Sequence, residues 1–274
     1  MSKIFITGAS SYLGSSLINT FKEHSFVGLE NKNILPNLPN LKSVKINKFS
    51  DFYDILNVNN IDTIFHFATN SIRGHDELNR KEIYKVNVEL GEVLLNASID
   101  LNIKKFITAG TYSQNIFRKF PNYYIESKQL FQELLTSNTG RGTDITNLHL
   151  GDVYGPNDFR NKLIPYLLKN ENEKSIKLSS NGLGPFSPIH ILDIIEEIKK
   201  DITTIHTGDK YIQTILATEI RTVKTFIEQF KEIRSKKFIA LYDENQINPY
   251  EIYSNLFNTN LVNNIDIRDG LKSI

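Results

Sequence analysis

The sequence contains no cysteine and no apolar run long enough to cross a membrane. Without cysteine, the chain has no disulfides, no thiolate metal ligands and no cysteine nucleophile. A membrane-spanning helix needs about 20 consecutive apolar residues, so we predict no membrane partner. The apolar stretch that starts at Lys3 ends at Gly8, so it is too short for the apolar region of a secretory signal. These absences lead us to expect a cytoplasmic protein.

An excess of one charge sign is missing as well. The chain of 274 residues has 32 basic and 31 acidic side chains, a formal net charge of +1. This balance gives no attraction to polyanions, so we predict no nucleic acid partner. The histidines show no spacing typical of metal ligands, and we predict no metal site. With 40% hydrophobic and 23% charged residues, the composition is that of a folded globular protein.

Short apolar runs alternate with helical stripes through the first part of the chain. The predicted strands are Lys3–Thr7, Phe26–Leu29, Val44–Ile46, Thr63–Ala68, Lys105–Ala109 and Ile145–Leu150. The predicted helices follow Gly14 or cover Asp54–Val58, Glu82–Leu101 and Glu126–Ser137. This alternation predicts an α/β fold, a Rossmann-type doubly wound parallel sheet.

The alternation loosens beyond Tyr154. We therefore expect residues 1–153 to form a dinucleotide-binding Rossmann domain, which regains a segment near 189–220. Residues 154–188 and 221–274 are expected to form a smaller, mixed substrate-binding domain. Its predicted parts are helices near Leu163–Lys169 and Thr222–Ile233 and a loop over Ser179–Pro188.

A glycine-containing turn follows the first strand. In such a turn, backbone N–H groups and the helix N-terminus can face a pyrophosphate. The candidate cofactor-binding residues of the turn are Gly8, Ser10, Ser11, Tyr12, Leu13 and Gly14. Ser11 stands where the usual motif has its middle glycine. The simpler alternative is an ordinary strand-to-helix turn that contains two glycines.

Glu30 ends the second predicted strand. An acidic side chain there can accept hydrogen bonds from an adenosine ribose and repel a 2′-phosphate, which favours NAD over NADP. Lys32 lies two residues later and could pair with a phosphate, so NADP stays the alternative. The simpler interpretation of Glu30 is a solvated strand end.

Tyr124 and Lys128 are four residues apart in a predicted helix, on one face about one turn apart. A nearby cation favours the phenolate, so this pair can exchange protons with a sugar hydroxyl or ketone. Thr111 follows the strand Lys105–Ala109, at the sheet edge where ligands bind in open α/β folds. Its hydroxyl could orient the same substrate oxygen.

With these residues in place, the sequence resembles the extended short-chain dehydrogenase/reductase family, and within it the NAD-dependent epimerases, reductases and dehydratases of nucleotide sugars. The motifs that carry the resemblance are Thr7 to Gly14, Asp62 to Ala68, Tyr84-x-x-Asn87, Thr111, Tyr124-x-x-x-Lys128, Val153 to Pro156, Ile189 to Asp193 and Asp269 to Leu271. They extend over nearly the whole chain.

The resemblance implies a role for each matching residue. Tyr124 is the general acid/base, Lys128 binds the nicotinamide ribose and tunes Tyr124, and Thr111 holds the reacting oxygen. Asn87 supports a helix and a water relay. Ala68 is implied at the cofactor and His190 at the substrate, although a buried structural histidine is the simpler interpretation of His190.

The resemblance also implies a nucleotide-diphospho-sugar substrate, a homodimer built on the two long helices, and a place in surface-polysaccharide biosynthesis. The family often has an Arg-Asp pair for the diphosphate where this chain has Phe186 and Ser187. Arg160 and Lys162 are the candidates to replace that contact, with solvated loop charges as the alternative.

The residues after Thr111 narrow the reaction. The family's dehydratases have an Asp-Glu pair there, whereas this chain has Tyr112 and Ser113, which disfavours dehydration. We therefore predict an NAD(P)-dependent 4-ketoreductase that acts on a nucleotide-diphospho-4-keto sugar. The first alternative is an epimerase that retains NAD, which Glu30 favours. The second is a dinucleotide-binding regulator without turnover.

Overall fold

The structure is a computed structural model that describes residues 1–31, 34–72, 77–116, 122–245 and 261–274. Its strands, in chain order, are β1 (Lys3–Thr7), β2 (Ser25–Leu29), β3 (Leu41–Val44), β4 (Thr63–His66), β5 (Lys105–Thr111), β6 (Asp144–Leu150), β7 (Asp152–Tyr154), β8 (Ser175–Leu178), β9 (Pro185–Phe186), β10 (Pro188–His190), β11 (Tyr211–Leu216), β12 (Arg221–Thr222) and β13 (Ile239–Tyr242). Its α-helices are α1 (Tyr12–Thr20), α2 (Asp51–Val58), α3 (Glu77–Tyr84), α4 (Leu90–Asp100), α5 (Tyr123–Ser137), α6 (Leu163–Asn170), α7 (Ile191–Thr203), α8 (Val223–Arg234) and α9 (Ile267–Lys272). A π-helix covers Lys85–Glu89, and a 3-10 helix covers Tyr112–Asn115.

The main sheet confirms the predicted fold class. Among the described residues it has seven strands in the order β11-β6-β5-β4-β1-β2-β3. Strand β1 pairs in parallel with both β2 and β4, and β4 pairs in parallel with β5. The sheet order reverses beside β1, and ligands of doubly wound sheets bind at the carboxyl ends of the strands around such a switch point.

Five strands of this sheet form where the apolar runs predict them, whereas β3 lies at Leu41–Val44 instead of Val44–Ile46 and β11 was not predicted. Ile4, Phe5 and Ile6 of β1 are fully buried, as are Ile64 and Phe65 of β4. Strands covered on both faces have this continuous apolar character. One core cluster packs helices α2, α4 and α5 against the sheet through side chains such as Phe52, Leu94 and Phe131.

The chain divides into two compact units. The first contains the described residues of the ranges 1–114, 120–149 and 197–214. The second contains those of the ranges 115–119, 150–196 and 215–274. The main chain thus returns to the first unit at 197–214, within the segment near 189–220 that the sequence analysis assigns to it.

The second unit is a mixed assembly with short strand pairs. Strand β10 pairs in parallel with β7, β13 in parallel with β8, and β12 antiparallel with β9. Its core packs α6, α8 and α9 around aromatic side chains that include Tyr154, Phe186, Phe226 and Phe230. The predicted loop over Ser179–Pro188 is wrong in part, because it contains β9 and the first residue of β10.

The predicted single helix over Glu82–Leu101 is also wrong in part. The structure has α3, then the π-helix Lys85–Glu89, then α4. The extra residue of a π-turn shifts the apolar stripe and turns Asn87 inward, where it is 1% exposed.

Among the described residues, no helix is both long and apolar enough to cross a membrane. Groups of three or more potential metal-ligating side chains are likewise not found in the described part of the chain.

Asp144 fastens the segment that leads into β11. Its carboxylate accepts hydrogen bonds from the backbone N–H groups of Thr207 at 2.9 Å and Gly208 at 2.8 Å. The side chains of Thr207 and His206 also contact it. Burial raises the pKa of Asp144, but the hydrogen bonds from Thr207, Lys210 and Gly208 outweigh this and lower it to about 2.

We expect Asp144→Asn to lower the free energy of unfolding by ~2 kcal/mol at pH 7, because the folded pKa lies below the ordinary value of 3.8. This contribution of the Asp144 carboxylate is present above about pH 4 and is lost as the pH falls through about 2. The difference in free energy of unfolding between the wild type and Asp144→Asn therefore shrinks toward pH 3. Urea unfolding of both proteins at the two pH values measures it. Asp54→Asn, which changes an exposed carboxylate of α2, is the control. A deficit that does not change with pH would contradict the assignment.

Candidate active site

The glycine turn lies at the carboxyl end of β1, beside the chain that leaves β4. Gly8 has a φ of +73°, and a Cβ there would lie 2.7 Å from the carbonyl carbon of Phe67 and 2.8 Å from the N of Ala68. Only glycine combines this backbone conformation with this close approach. The turn thereby keeps backbone, rather than side chain, at the switch point of the sheet.

Ser11 begins α1 rather than filling the space in front of the turn. Its N–H donates to the Gly8 carbonyl at 2.9 Å, and its hydroxyl accepts the Gly14 N–H at 3.1 Å. This is an N-cap bond, which satisfies one of the donors at the helix start. Among the other predicted turn residues, Ser10 is exposed, Tyr12 is half-buried and Leu13 is buried in the core.

Thr7 joins the ends of the two strands at this point. Its hydroxyl accepts the Ala68 N–H at 3.2 Å and lies 2.9 Å from His66 Nδ1. Ala68 therefore sits directly beside the glycine turn, at the place that the sequence analysis predicts for a cofactor contact. The hydroxyl of Thr7 is a structural link that the sequence analysis did not identify.

Glu30 follows β2 and carries its charge. Lys45 Nζ lies 2.9 Å from Oε1, and the Ser43 hydroxyl donates to Oε2 at 2.7 Å. These hydrogen bonds, from Lys45 first and then from Ser43, lower the pKa of Glu30. A carboxylate can accept further bonds with its remaining lone pairs, so Glu30 stays able to accept ribose hydroxyls. Lys32 lies outside the described residues.

Lys128 is buried at the end of β5. Asn122 caps the start of helix α5, because its side chain accepts the Ile125 N–H. The helix places Tyr124 and Lys128 one turn apart on one face. Lys128 Nζ donates to the Ala109 carbonyl at 2.8 Å. The pair predicted from the sequence thus lies on a helix that contacts β5 two residues before Thr111.

The charge of Lys128 acts on two buried histidines. Burial lowers the pKa of Lys128 to about 8. Burial, followed by the charge of Lys128, lowers the pKa of His66 to about 3 and that of His149 to about 4. At neutral pH, both imidazoles are therefore neutral hydrogen-bonding groups.

Asn87 joins three segments of the first unit. Its Oδ1 accepts the Asn70 N–H at 2.7 Å and the Thr69 hydroxyl at 3.1 Å. Its Nδ2 donates to the Asn70 carbonyl and to the Ser127 hydroxyl, both at 3.0 Å. Ser127 in turn donates to the Tyr124 carbonyl. Asn87 thus supports the first turn of the helix that carries Tyr124 and Lys128.

Thr111 is the last residue of β5 and is 8% exposed. Its hydroxyl oxygen accepts the Ser113 N–H at 3.3 Å, a bond that leaves the hydroxyl proton available for donation. Its own N–H donates to Gln114 Oε1 at 2.8 Å. The sequence analysis did not identify Gln114, because a glutamine three residues after a threonine is not a motif.

Three of the four predicted substrate contacts, Arg160, Lys162 and His190, lie in the second unit, and Thr111 lies in the first. Arg160 is held by Asp158, with Nε 2.7 Å from Oδ1, and by the Val153 carbonyl at 2.7 Å. Lys162 is exposed just before α6. His190 is 2% exposed and accepts the Leu192 N–H at Nδ1. The Tyr154 ring lies edge-on to it at 5.2 Å. His190 Nε2 is buried without a hydrogen-bond partner among the described residues, so its role at the substrate stays a prediction.

A family model matches residues 4–212, and its description is the NAD dependent epimerase/dehydratase family. The chain belongs to this family. Membership confirms the resemblance to the extended short-chain dehydrogenase/reductase enzymes and the prediction of an NAD-dependent enzyme.

A curated relative and several solved structures are similar to this epimerase/dehydratase family member. CDP-abequose synthase of Salmonella muenchen is 32% identical over 177 residues, which cover 61% of this chain and 58% of the relative. MoeE5, solved with UDP-glucuronic acid and NAD, has a TM-score of 0.78 at 16% identity and covers 99% of this chain and 97% of its own. UDP-glucose 4-epimerase of Thermotoga maritima has a TM-score of 0.77 at 17% identity, with 99% and 96% covered. At these identities, the structures show the shared fold.

The residues of the first unit fit the family's dinucleotide. Glycine at position 8 lets the turn approach the backbone of Phe67 and Ala68 closely, so the turn presents backbone groups at the end of β1. The Ser11 hydroxyl accepts the Gly14 N–H at the start of α1. Glu30 offers carboxylate oxygens for an adenosine ribose, and the buried Lys128 ammonium offers donors for a second ribose.

Lys128→Met is expected to stabilise this family member. Holding the ammonium charged in the folded protein costs ~3 kcal/mol at pH 7, since burial lowers its pKa from 10.5 to about 8. Lys128→Met removes this cost but also removes the hydrogen bond to Ala109. We therefore expect the free energy of unfolding to rise by about 1–2 kcal/mol in total. Between about pH 8 and 10.5 the unfolded wild type binds more protons than the folded wild type, so its free energy of unfolding rises with pH. The difference in free energy of unfolding between Lys128→Met and the wild type therefore narrows over this range.

Urea unfolding at pH 7 and about pH 10 measures this difference. Lys104→Met, which removes an exposed lysine just before β5, is the control and should change neither value. A Lys128→Met protein that is less stable than the wild type at pH 7 would show that the ammonium is solvated.

Proposed function

We propose that this chain is a nucleotide-sugar 4-ketoreductase, which reduces a nucleotide-diphospho-4-keto sugar to the corresponding alcohol. The observation that carries this proposal is the arrangement at the end of β5. There the Thr111 hydroxyl keeps its proton for donation, and Lys128 contacts the strand two residues earlier. The two residues after Thr111 are the uncharged Tyr112 and Ser113. This set suits proton transfer to one carbonyl oxygen.

The proton that the product alcohol needs comes from Tyr124. As the carbonyl carbon accepts a hydride, negative charge develops on its oxygen, and a phenol within hydrogen-bond reach can donate a proton to that oxygen. The Thr111 hydroxyl donates a hydrogen bond to the same oxygen and holds it in place. Bound reduced nicotinamide would supply the hydride.

Lys128 makes Tyr124 a better proton carrier. A buried ammonium beside a phenol favours the phenolate that remains after proton donation. His66 and His149, which are neutral, do not compete for that role at pH 7. Asn87 and Ser127 fix the helix turn between Tyr124 and Lys128, so the pair keeps its spacing.

The similarity to CDP-abequose synthase supports a nucleotide-diphospho-sugar substrate. The substrate class that we propose is a nucleotide-diphospho-deoxysugar, with surface-polysaccharide synthesis in the cytoplasm as its setting. We propose that the first unit binds the dinucleotide and the second contributes substrate contacts through Arg160 and Lys162. A homodimer that pairs helices α4 and α5 with those of a second copy completes the proposal.

An NAD-retaining 4-epimerase is the second candidate, and Glu30 is the observation that favours it. Its carboxylate is charged and positioned by Lys45 and Ser43, which suits an adenosine ribose with a free 2′-hydroxyl. The solved epimerase of Thermotoga maritima shares the fold. A binding protein without turnover is less well supported, since it has no chemical use for Thr111, Tyr124 and Lys128 at these spacings.

Tyr124→Phe tests the proton donor. We expect turnover to fall by at least about 10²-fold, because no other group replaces the phenol, while the Kd for dinucleotide changes less than about twofold. The assay follows oxidation of reduced nicotinamide with CDP-, dTDP-, UDP- and GDP-4-keto-deoxysugars. Tyr123→Phe is the matched control on the preceding helix position. Unchanged turnover in Tyr124→Phe would remove Tyr124 from the mechanism.

The cofactor released from the purified protein separates the two enzyme candidates. The protein is prepared without added dinucleotide and denatured, and released NAD or NADP is identified by mass spectrometry and absorbance. A reductase exchanges its cofactor at each turnover, so we expect little bound dinucleotide and reversible binding on titration. Near-stoichiometric bound NAD would favour the epimerase instead. Failure to bind either dinucleotide would contradict both.

A further inference from the structure

A chain of glutamine side chains leads away from Thr111 within the first unit. The Thr111 N–H donates to Gln114 Oε1 at 2.8 Å, and Gln114 Nε2 donates to Gln132 Oε1 at 3.0 Å. Gln132 Nε2 donates in turn to Gln213 Oε1 on β11 at 2.9 Å. These hydrogen bonds connect the end of β5 to helix α5 and to the edge strand of the sheet.

The direction of each bond is set at the Thr111 end. A backbone N–H can only donate, so Gln114 must turn its oxygen toward Thr111 and its NH₂ group toward Gln132. Gln132 must therefore present its oxygen to Gln114. Gln114 is 7% exposed, and a reversed amide would place a buried donor against a donor. The amides thus have one hydrogen-bonded arrangement, which suits a rigid connection.

The strand end leaves space for this connection. A Cβ at Gly110 would lie 2.7 Å from Gln114 Oε1 and 2.7 Å from His149 Cδ2, so a larger residue would displace the amide. On the helix side, Gln132 follows Lys128 by four residues and Tyr124 by eight. All three therefore lie along one face of α5.

We propose that Gln114 and Gln132 are positioning residues that fix Thr111 relative to the helix that carries Tyr124 and Lys128. Lys128 also ties α5 to β5 through its bond to the Ala109 carbonyl. The glutamine connection uses neither Lys128 nor Tyr124, so it holds Thr111 in place throughout the reaction. This inference rests on the proposed function.

Gln114→Leu removes both hydrogen bonds at nearly constant volume. We expect kcat to fall about 10- to 100-fold, because a small displacement of Thr111 misplaces the reacting oxygen relative to Tyr124. KM and the Kd for dinucleotide should stay within about twofold, since the cofactor turn and Lys128 are unchanged. Amide hydrogen exchange should also become faster at Thr111, whose N–H loses its buried acceptor.

A second pair of variants separates positioning from general damage to the fold. Gln132→Leu removes the acceptor of Gln114, whereas Gln132→Glu keeps an oxygen at that place. Its second oxygen would face Gln213 Oε1, so the exposed Gln213 amide must turn to donate to it. We expect Gln132→Glu to recover most of the kcat that Gln132→Leu loses. Gln129→Leu is the matched control, because Gln129 lies on the same helix and its side chain contacts the exposed Glu133.

The outcomes separate this inference from the proposed function. Full kcat in Gln114→Leu, or equal losses in Gln132→Leu and Gln132→Glu, would overturn the positioning role. Unchanged exchange at Thr111 in Gln114→Leu would overturn the glutamine connection itself. If Gln114→Leu does not fold, the half-exposed Gln132 pair decides. If the wild type reduces no nucleotide keto sugar, the proposed function fails, and exchange at Thr111 in the variants still decides the connection.

Discussion

The buried ammonium of Lys128 is the constraint around which the first unit is arranged. A charge in a protein interior persists where neighbouring dipoles compensate for lost water, and the Ala109 carbonyl at the end of β5 does so here. His66 and His149 lie within reach of the charge, and burial together with this charge holds both imidazoles neutral. Of these three buried groups, Lys128 therefore carries the positive charge, and it lies beside the strand that ends in Thr111.

His66 carries this arrangement from the catalytic helix to the glycine turn. It is the last residue of β4, and its ring lies edge-on to Phe131 of α5 at 5.6 Å. Its Nδ1 faces the Thr7 hydroxyl, which also accepts the Ala68 N–H. The ends of β1 and β4, the turn at Gly8 and helix α5 are thus packed around one neutral imidazole. The glycine turn and the helix that carries Tyr124 and Lys128 share one structural support in this unit.

The sequence predicts the parts of this arrangement that depend on local pattern. Continuous apolar runs identify β1 and β4, and the spacing of Tyr124 and Lys128 places them on one helix face. The π-helix is not predicted, because Val86 and Leu90 continue the apolar stripe of an ordinary helix. It depends on the bonds of Asn87 to Asn70 and Ser127, which come together only in the folded chain. The partners of a polar side chain such as Gln114 are equally absent from a linear pattern.

The charges near Thr111 decide between the reactions that this family performs. Water elimination needs an acid and a base at two positions of the sugar, and a dehydratase places carboxylates after its threonine for that purpose. Tyr112 is buried here, and the Ser113 N–H donates to the Thr111 hydroxyl oxygen. Reduction needs one proton at one oxygen, which Tyr124 can supply with Lys128 beside it. The uncharged residues after Thr111 therefore support the proposed reduction over dehydration.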